Sequence, residues 1–202
     1  MARQFAFVII LALVVVSARG QAVHYLHCLD VTEQGGVNLY WEPAGSQAEF
    51  VAYHIFQRVP PGSFIEVATI SDHGTTTYFH DITIANQQPV QYYIHTEQLA
   101  PPGIYSDTLS SMHLTVTLNS ADPIIALLNW NPMHASPLPG SNGYYYIFMH
   151  GTGSDDFILI DSTVLTQFTM PVEVCRDTLF FRIEAGATGC ISGSNAASLY
   201  FE

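Results

Sequence analysis

From residue 23 onward, apolar and polar residues alternate in short runs separated by turn residues. Val37, Leu39 and Trp41 alternate with Asn38 and Tyr40 until Pro43 and Gly45 stop the run. Val51, Tyr53 and Ile55 share one face of the next run, Phe50 to Val59, and Pro60-Pro61-Gly62 turns the chain. Phe64 to Ile70, Thr76 to His80, and Val90, Tyr92 and Ile94 continue the pattern, and Ser106 to Met112 closes it. A period of two marks half-buried strands, and turn signals every 8–12 residues mark an all-β sandwich or barrel. No apolar helical period follows the first 22 residues.

The same order of features then returns. Ala126 to Pro132 repeats Val37 to Pro43, each a strand ending in Trp-x-Pro. About a dozen residues after each Trp comes Tyr-x-Ile-Phe, first at Tyr53 to Phe56 and again at Tyr145 to Phe148. Phe157 to Ile160 matches Phe64 to Ile70, Phe181 and Ile183 match Tyr92 and Ile94, and Ser194-Asn195 falls where Ser106-Asp107 falls. Two copies of one β-rich unit are expected, at residues 23–112 and 113–202, with almost no linker and an end-to-end placement of limited freedom. Trp41, Tyr53 and Tyr92 in the first copy, and Trp130, Tyr145 and Phe181 in the second, are the expected core positions. The chain is either these two modules alone or the front of something longer.

Residues 1–22 have another character. Arg3 is followed by an apolar run from Phe5 to Val16 and then by Ser17-Ala18-Arg19-Gly20. That is the pattern of a secretory signal peptide, cleaved after Gly20 or Ala22. The run is shorter than the roughly 20 residues that a membrane span needs. The expected location is therefore secreted or cell-surface, with no stable membrane insertion.

Composition narrows the partners. The chain carries 5 basic and 17 acidic residues, a net charge of −12, and only 11% charged residues. Nucleic acid is excluded as a partner, because phosphate contacts need clustered Lys and Arg. Acidity of this kind serves solubility. Calcium would need converging oxygens, and the densest cluster, Asp155-Asp156 with Asp161, has no EF-hand pattern around it. The nine histidines show no ligand spacing, and no cofactor or metal site is expected. Neither Gly140-Ser141-Asn142-Gly143 nor Ile191-Ser192-Gly193-Ser194 matches a nucleophile elbow. No catalytic activity is expected.

These residues resemble fibronectin type III modules in four features. They are the Trp ending the second strand, Tyr-x-Ile-Phe in the third, the aromatic-x-Ile of the sixth, and the Ser-Asp or Ser-Asn opening the seventh. The resemblance covers about 180 residues as two tandem copies. It implies an all-β chain of two tandem fibronectin type III-like, immunoglobulin-like sandwiches after a signal peptide. Cys28-Leu29-Asp30-Val31 and the stretch from Cys175 to Cys190-Ile-Ser-Gly-Ser-Asn also resemble secreted, gliding-motility-associated repeat proteins of Bacteroidetes-type bacteria. Those proteins carry a C-terminal sorting domain that is absent from these 202 residues.

Three cysteines follow the leader: Cys28, Cys175 and Cys190. Cys175 and Cys190 are the natural sequence pair, closing a loop of about 15 residues worth on the order of 3 kcal/mol. If Thr178 to Ala185 is one strand, however, the two lie near its opposite ends, roughly 20 Å or more apart at about 3.3 Å per residue. Cys28, in the other copy and near its far pole, is a poor partner for either. The odd thiol would pair with a downstream module or a second chain, or stay free. The remaining binding signal is aromatic. Tyr144 and Tyr146, with Tyr93 in the first copy, must point out of their cores, where tyrosine can anchor a partner protein or stack on a sugar; alternatively they pair across strands. The expected function is a non-catalytic structural or protein-interaction module (spacer, scaffold or adhesin part). It would contact other extracellular proteins or further domains through the loops Pro60 to Ser63, Pro101 to Tyr105 and Pro132 to Gly143. The other reading is a carbohydrate-binding accessory region of a larger secreted hydrolase, with glycans as ligands.

Overall fold

The computed structural model describes residues 25–119, 124–154, 156–172, 178–187 and 189–200. The leader, Asp155 and Cys175 lie outside them.

The first sheet pair is built from β1 (Leu26–Val31), β2 (Val37–Trp41), β3 (Phe50–Arg58), β4 (Ile65–Ile70), β5 (Thr77–His80), β6 (Gln91–Gln98), β7 (Ile104–Tyr105) and β8 (Leu109–Ser110). One sheet runs β1-β2-β5 and the other β4-β3-β6-β7, with β8 also pairing to β6. A single 3-10 turn, Ile84–Asn86, links β5 to β6. The second pair uses β9 (Leu114–Asn119), β10 (Ile125–Trp130), β11 (Tyr145–Gly151), β12 (Ile158–Thr163), β13 (Gln167–Pro171), β14 (Thr178–Ala187), β15 (Cys190–Gly193) and β16 (Ala197–Tyr200). Its sheets run β9-β10-β13 and β12-β11-β14-β15, with β16 on β14. All strand pairings are antiparallel. The chain is all-β, with two sandwich-like sheet pairs in the same strand order. That order is fibronectin type III-like.

Alternation dictates which side chains meet. In β2, Val37, Leu39 and Trp41 are buried while Asn38 and Tyr40 are not, and in β10 Ala126, Leu128 and Trp130 are buried. Trp41 packs edge-on against Tyr53 of β3 at 5.6 Å and 69°, and Trp130 against Tyr145 of β11 at 5.5 Å and 69°. Tyr53, Tyr92 and Phe181 are fully buried. Burying each such side chain is worth roughly 1.5–3 kcal/mol or more.

The Ser-Asp and Ser-Asn pairs break the last strand in the same way in both copies. The Ser106 hydroxyl accepts the Ile94 N–H at 2.8 Å and donates to its neighbour's carbonyl. The Ser194 hydroxyl does the same with Ile183 at 3.0 Å. The side chain completes a ladder bond that the bending backbone gives up, which separates β7 from β8 and β15 from β16.

The two sheet pairs are joined over more than the chain connection. Buried residues of both belong to one contiguous hydrophobic cluster that runs through Met112 and Leu114. Edge strand β1 lies against edge strand β15. The contact therefore runs along strand edges as well as across the connection, and a plain end-to-end arrangement does not describe it.

Candidate interaction surface

The junction gathers a disulfide, an ion pair and several hydrogen bonds between the two sheet pairs. Cys28 and Cys190 form a disulfide with a Cα–Cα distance of 6.3 Å across a sequence separation of 162. Cys190 thus pairs not with Cys175, the natural sequence pair, but with Cys28, which corrects the expectation that Cys28 is a poor partner for either. The physical reason is that β1 is not at a far pole: it runs beside β15, and Cys28 sits on its face toward that strand. Cys28 is fully buried and Cys190 half-buried.

Around the disulfide the Leu29 N–H donates to the Ser192 hydroxyl at 3.2 Å, and that hydroxyl donates to Met133 Sδ at 2.9 Å. Arg182 donates to Asp30 Oδ1 at 2.7 Å, and its Nε lies 3.5 Å from Glu184. Burial pushes the Asp30 and Glu184 carboxyls above their ordinary range, outweighing the pull of Arg182. Gly193 permits this approach, since a Cβ there would overlap the Arg182 guanidinium and the Asp30 carboxylate. Both β1 and β15 are sheet edges, which expose unpaired backbone groups; here each covers the other.

The connection is stitched as well. Asn131 accepts the His113 N–H at 2.8 Å and donates to the Ser111 carbonyl at 2.9 Å, while the Ser110 N–H donates to the Met133 carbonyl at 2.8 Å. Asn195 grips Leu114 through both its N–H, at 2.7 Å, and its carbonyl, at 3.1 Å. His134 Nε2 faces Asp107 at 3.8 Å.

These bonds anchor the loop Pro132 to Gly143, and beside it is a cavity of about 280 Å³. Pro132, Leu138, Tyr144, Tyr145 and Val164 are among its walls. Tyr144, Val164 and Leu165 stay largely exposed at 45%, 60% and 56%. The cavity is thus mostly apolar, at the end of the second sheet pair nearest the junction. The loop Pro60 to Ser63 is exposed and follows the end of β3 where Arg58 pairs with Gln91, itself paired with Ser110. The loop Pro101 to Tyr105 is fastened through His95, which stacks on Tyr105 at 4.2 Å and lies 3.3 Å from the Pro102 carbonyl.

The outward tyrosines do not form one surface. Tyr146 Oη accepts from Asn142 Nδ2 at 2.7 Å, turning it toward its own loop. Tyr93 stands in a row of rings: stacked on Phe56 at 4.7 Å and 7°, edge-on to Phe64 at 4.8 Å, and tilted against Tyr105. Rings stacked across strands in this way stand on edge and offer rims outward, whereas sugar stacking uses ring faces. At the end of that row His54 is held between Glu66 (2.8 Å) and Glu97 (3.1 Å). Hydrogen bonding to Glu66, above all, raises its pKa. Among the described residues no three acidic, histidine or cysteine side chains gather as a metal site, and no helix is long and apolar enough to cross a membrane.

Sequence reasoning missed Asp30, Asn131, Arg182 and Asn195. A signal existed for Arg182. The chain has no lysine, and an arginine on the outward face of β14, in register between Phe180 and Glu184, demands a partner from elsewhere.

The strand order places the chain in the class of tandem fibronectin type III-like sandwiches. No family model matches it, and no curated protein does. Among solved structures it is similar to the FN1–FN3 domains of chicken CNTN1, at 11% identity over 90% of this chain and 67% of that one, with a TM-score of 0.36. It is also similar to a two-domain fibronectin type III segment of chicken tenascin, at 14% identity over 87% of this chain and 99% of that one, with a TM-score of 0.34. The fold class rests on the strand order itself, not on these likenesses.

Proposed function

We propose that this protein is a non-catalytic, secreted or cell-surface interaction module of two sandwiches, residues 23–112 and 113–202. The two act as one stiff body that presents a contact surface to another extracellular protein or a further domain. The contact surface is the loop Pro132 to Gly143 with Tyr144, Val164 and Leu165. One observation carries this reading: an apolar cavity, open at exposed Tyr144 and Val164, is built on a loop pinned to the junction by Asn131 and Met133. A pinned loop loses little conformational entropy on binding. Export by residues 1–22 supplies the oxidising setting that a Cys28–Cys190 bond needs. A role in a surface-export or gliding system follows only from the sequence resemblance and would require a downstream sorting domain.

The test is cross-linking mass spectrometry of the intact protein with the extracellular proteins of its source. Cross-links and protection are expected at residues 132–144 and 164–165, and loss of the complex with Tyr144→Ala. Saturable glycan-array binding that is lost with Tyr144→Ala or Tyr146→Ala would replace this reading with the carbohydrate one. The module boundary has its own test. Residues 23–112 alone should keep a near-UV circular dichroism signal; its absence would put the boundary elsewhere.

A further inference from the structure

The run Gly140-Ser141-Asn142-Gly143 before β11 lacks the pattern of a nucleophile elbow, but it holds a reactive arrangement of another kind. Asn142 is exposed and is followed by a glycine. The other asparagines, Asn38, Asn86, Asn119, Asn129, Asn131 and Asn195, each precede a residue that carries a side chain. Such a side chain shields the peptide nitrogen behind it, whereas glycine leaves that nitrogen open to close approach. Asn38, Asn119 and Asn129 are also held in strands, and Asn131 and Asn195 are bonded into the junction.

Three hydrogen bonds meet at Asn142 and Gly143. The Tyr144 N–H donates to Asn142 Oδ1 at 3.0 Å. Asn142 Nδ2 donates to Tyr146 Oη at 2.7 Å. The Gly143 N–H donates to Ser141 Oγ at 3.1 Å. The first bond is an Asx turn, which folds the side chain back along the residues that follow it. Cγ, one bond from Oδ1, is thereby brought over the peptide that joins Asn142 to Gly143.

Each bond favours one part of a single reaction. A donor on Oδ1 polarises the Cγ carbonyl and steadies the charge that attack places on that oxygen. An acceptor on the Gly143 N–H draws the proton away from its nitrogen. The Tyr146 hydroxyl stands at Nδ2, the nitrogen that must gain a proton to leave. Asparagine is among the thermolabile residues, and here the surroundings add to that tendency.

We propose that Asn142 is a site of spontaneous modification, at which asparagine converts to an aspartyl or isoaspartyl residue through a cyclic imide. The Gly143 nitrogen bonds to Cγ, and the Cγ–Nδ2 bond breaks. The proton lost from the Gly143 nitrogen is matched by the proton gained at Nδ2, which leaves as ammonia. Water then opens the ring at either carbonyl. Both products add a negative charge and lose the donor to Tyr146 Oη. The isoaspartyl product also lengthens the main chain by a carbon, two residues before Tyr144 at the cavity. The reaction itself is independent of the contact role proposed for this loop, but it alters the surface on which that role depends.

The experiment incubates the intact protein in mildly alkaline buffer made with heavy-oxygen water and maps its peptides by mass spectrometry over several weeks. Isoaspartyl is counted by enzymatic methylation with isoaspartyl methyltransferase. Asn142 should convert at least tenfold faster than Asn38 or Asn119 in the same sample, take up heavy oxygen, and give more isoaspartyl than aspartyl. Gly143→Ala, whose added Cβ meets nothing within 4 Å, should slow the conversion at least tenfold. Ser141→Ala and Tyr146→Phe should each slow it at least twofold while leaving the near-UV spectrum unchanged. The proposal is overturned by conversion at Asn142 no faster than at Asn38 or Asn119, by an aspartyl product with no isoaspartyl beside it, or by unchanged rates in both Ser141→Ala and Tyr146→Phe.

Discussion

Trp41 meets Tyr53 and Trp130 meets Tyr145 at nearly the same distance and the same angle. Ser106 and Ser194 mend the same ladder bond in the same manner. Inside, the two sandwiches are copies. Outside they diverge. The outward face of β3 and β6 in the first is closed on itself, with a row of rings and His54 clasped by two glutamates. In the second, Arg182 and Glu184 leave the sheet face to serve the junction. Tyr144, Ile158, Leu159, Val164, Leu165 and Ile191 stay exposed. The inward slots are held by packing density, which punishes any change of volume. The outward slots are free to specialise, and the second sandwich has used them for contact with its neighbour.

The largest test of this contrast removes the cross-link. Cys28→Ala with Cys190→Ala frees a loop of 162 residues, and chain entropy sets the expected loss at up to on the order of 5 kcal/mol. Urea unfolding should show both sandwiches weakened, because the bond belongs to both. Loss confined to one would break the picture of a shared body.

Next come the cores. Trp41→Ala and Trp130→Ala should each cost about 3–5 kcal/mol and agree within about 1 kcal/mol. A larger gap in chemical denaturation would mean that the inner equivalence is superficial.

Arg182→Met comes third, at about 2 kcal/mol after allowance for partial exposure. Asp30 and Glu184 have folded-state pKa values above their unfolded ones. Their protonation therefore favours the fold, a contribution fully present below about pH 4 and lost as pH rises through the raised values. The deficit of Arg182→Met should thus shrink between pH 7 and pH 4.5, measured by urea midpoints. A deficit that grows on acidification would contradict the role given to Arg182.

The smallest effect belongs to His54, whose equivalent in the second sandwich is Tyr146. Its folded pKa is raised. Its stabilising contribution is present below about pH 6.5 and disappears as pH rises through the folded value. His54→Gln should flatten the pH dependence of thermal stability in that window, while Tyr146→Phe should leave it unchanged.

The fold was legible because its signals are local. Trp-x-Pro, Tyr-x-Ile-Phe and the alternation around them state strand, face and order within a dozen residues, and repetition removes chance. The junction was not legible, because its signals are separated by most of the chain. Nothing near Cys28 names Cys190, and nothing in β1 reveals that Asp30 will meet Arg182. Cys175 and Cys190 are the natural pair by sequence proximity alone, and strand length already argues against them. The outward tyrosines were legible as outward and no further: Tyr146 turns to Asn142, Tyr93 to Phe56, and only Tyr144 opens onto a cavity.

Peptide mapping under non-reducing conditions tests the shared body most directly. Digestion of the unreduced protein should release a peptide containing Cys28 joined to one containing Cys190, and reduction should separate them. A Cys190 peptide joined instead to Cys175 would contradict the edge-to-edge junction on which the stiff two-sandwich body depends.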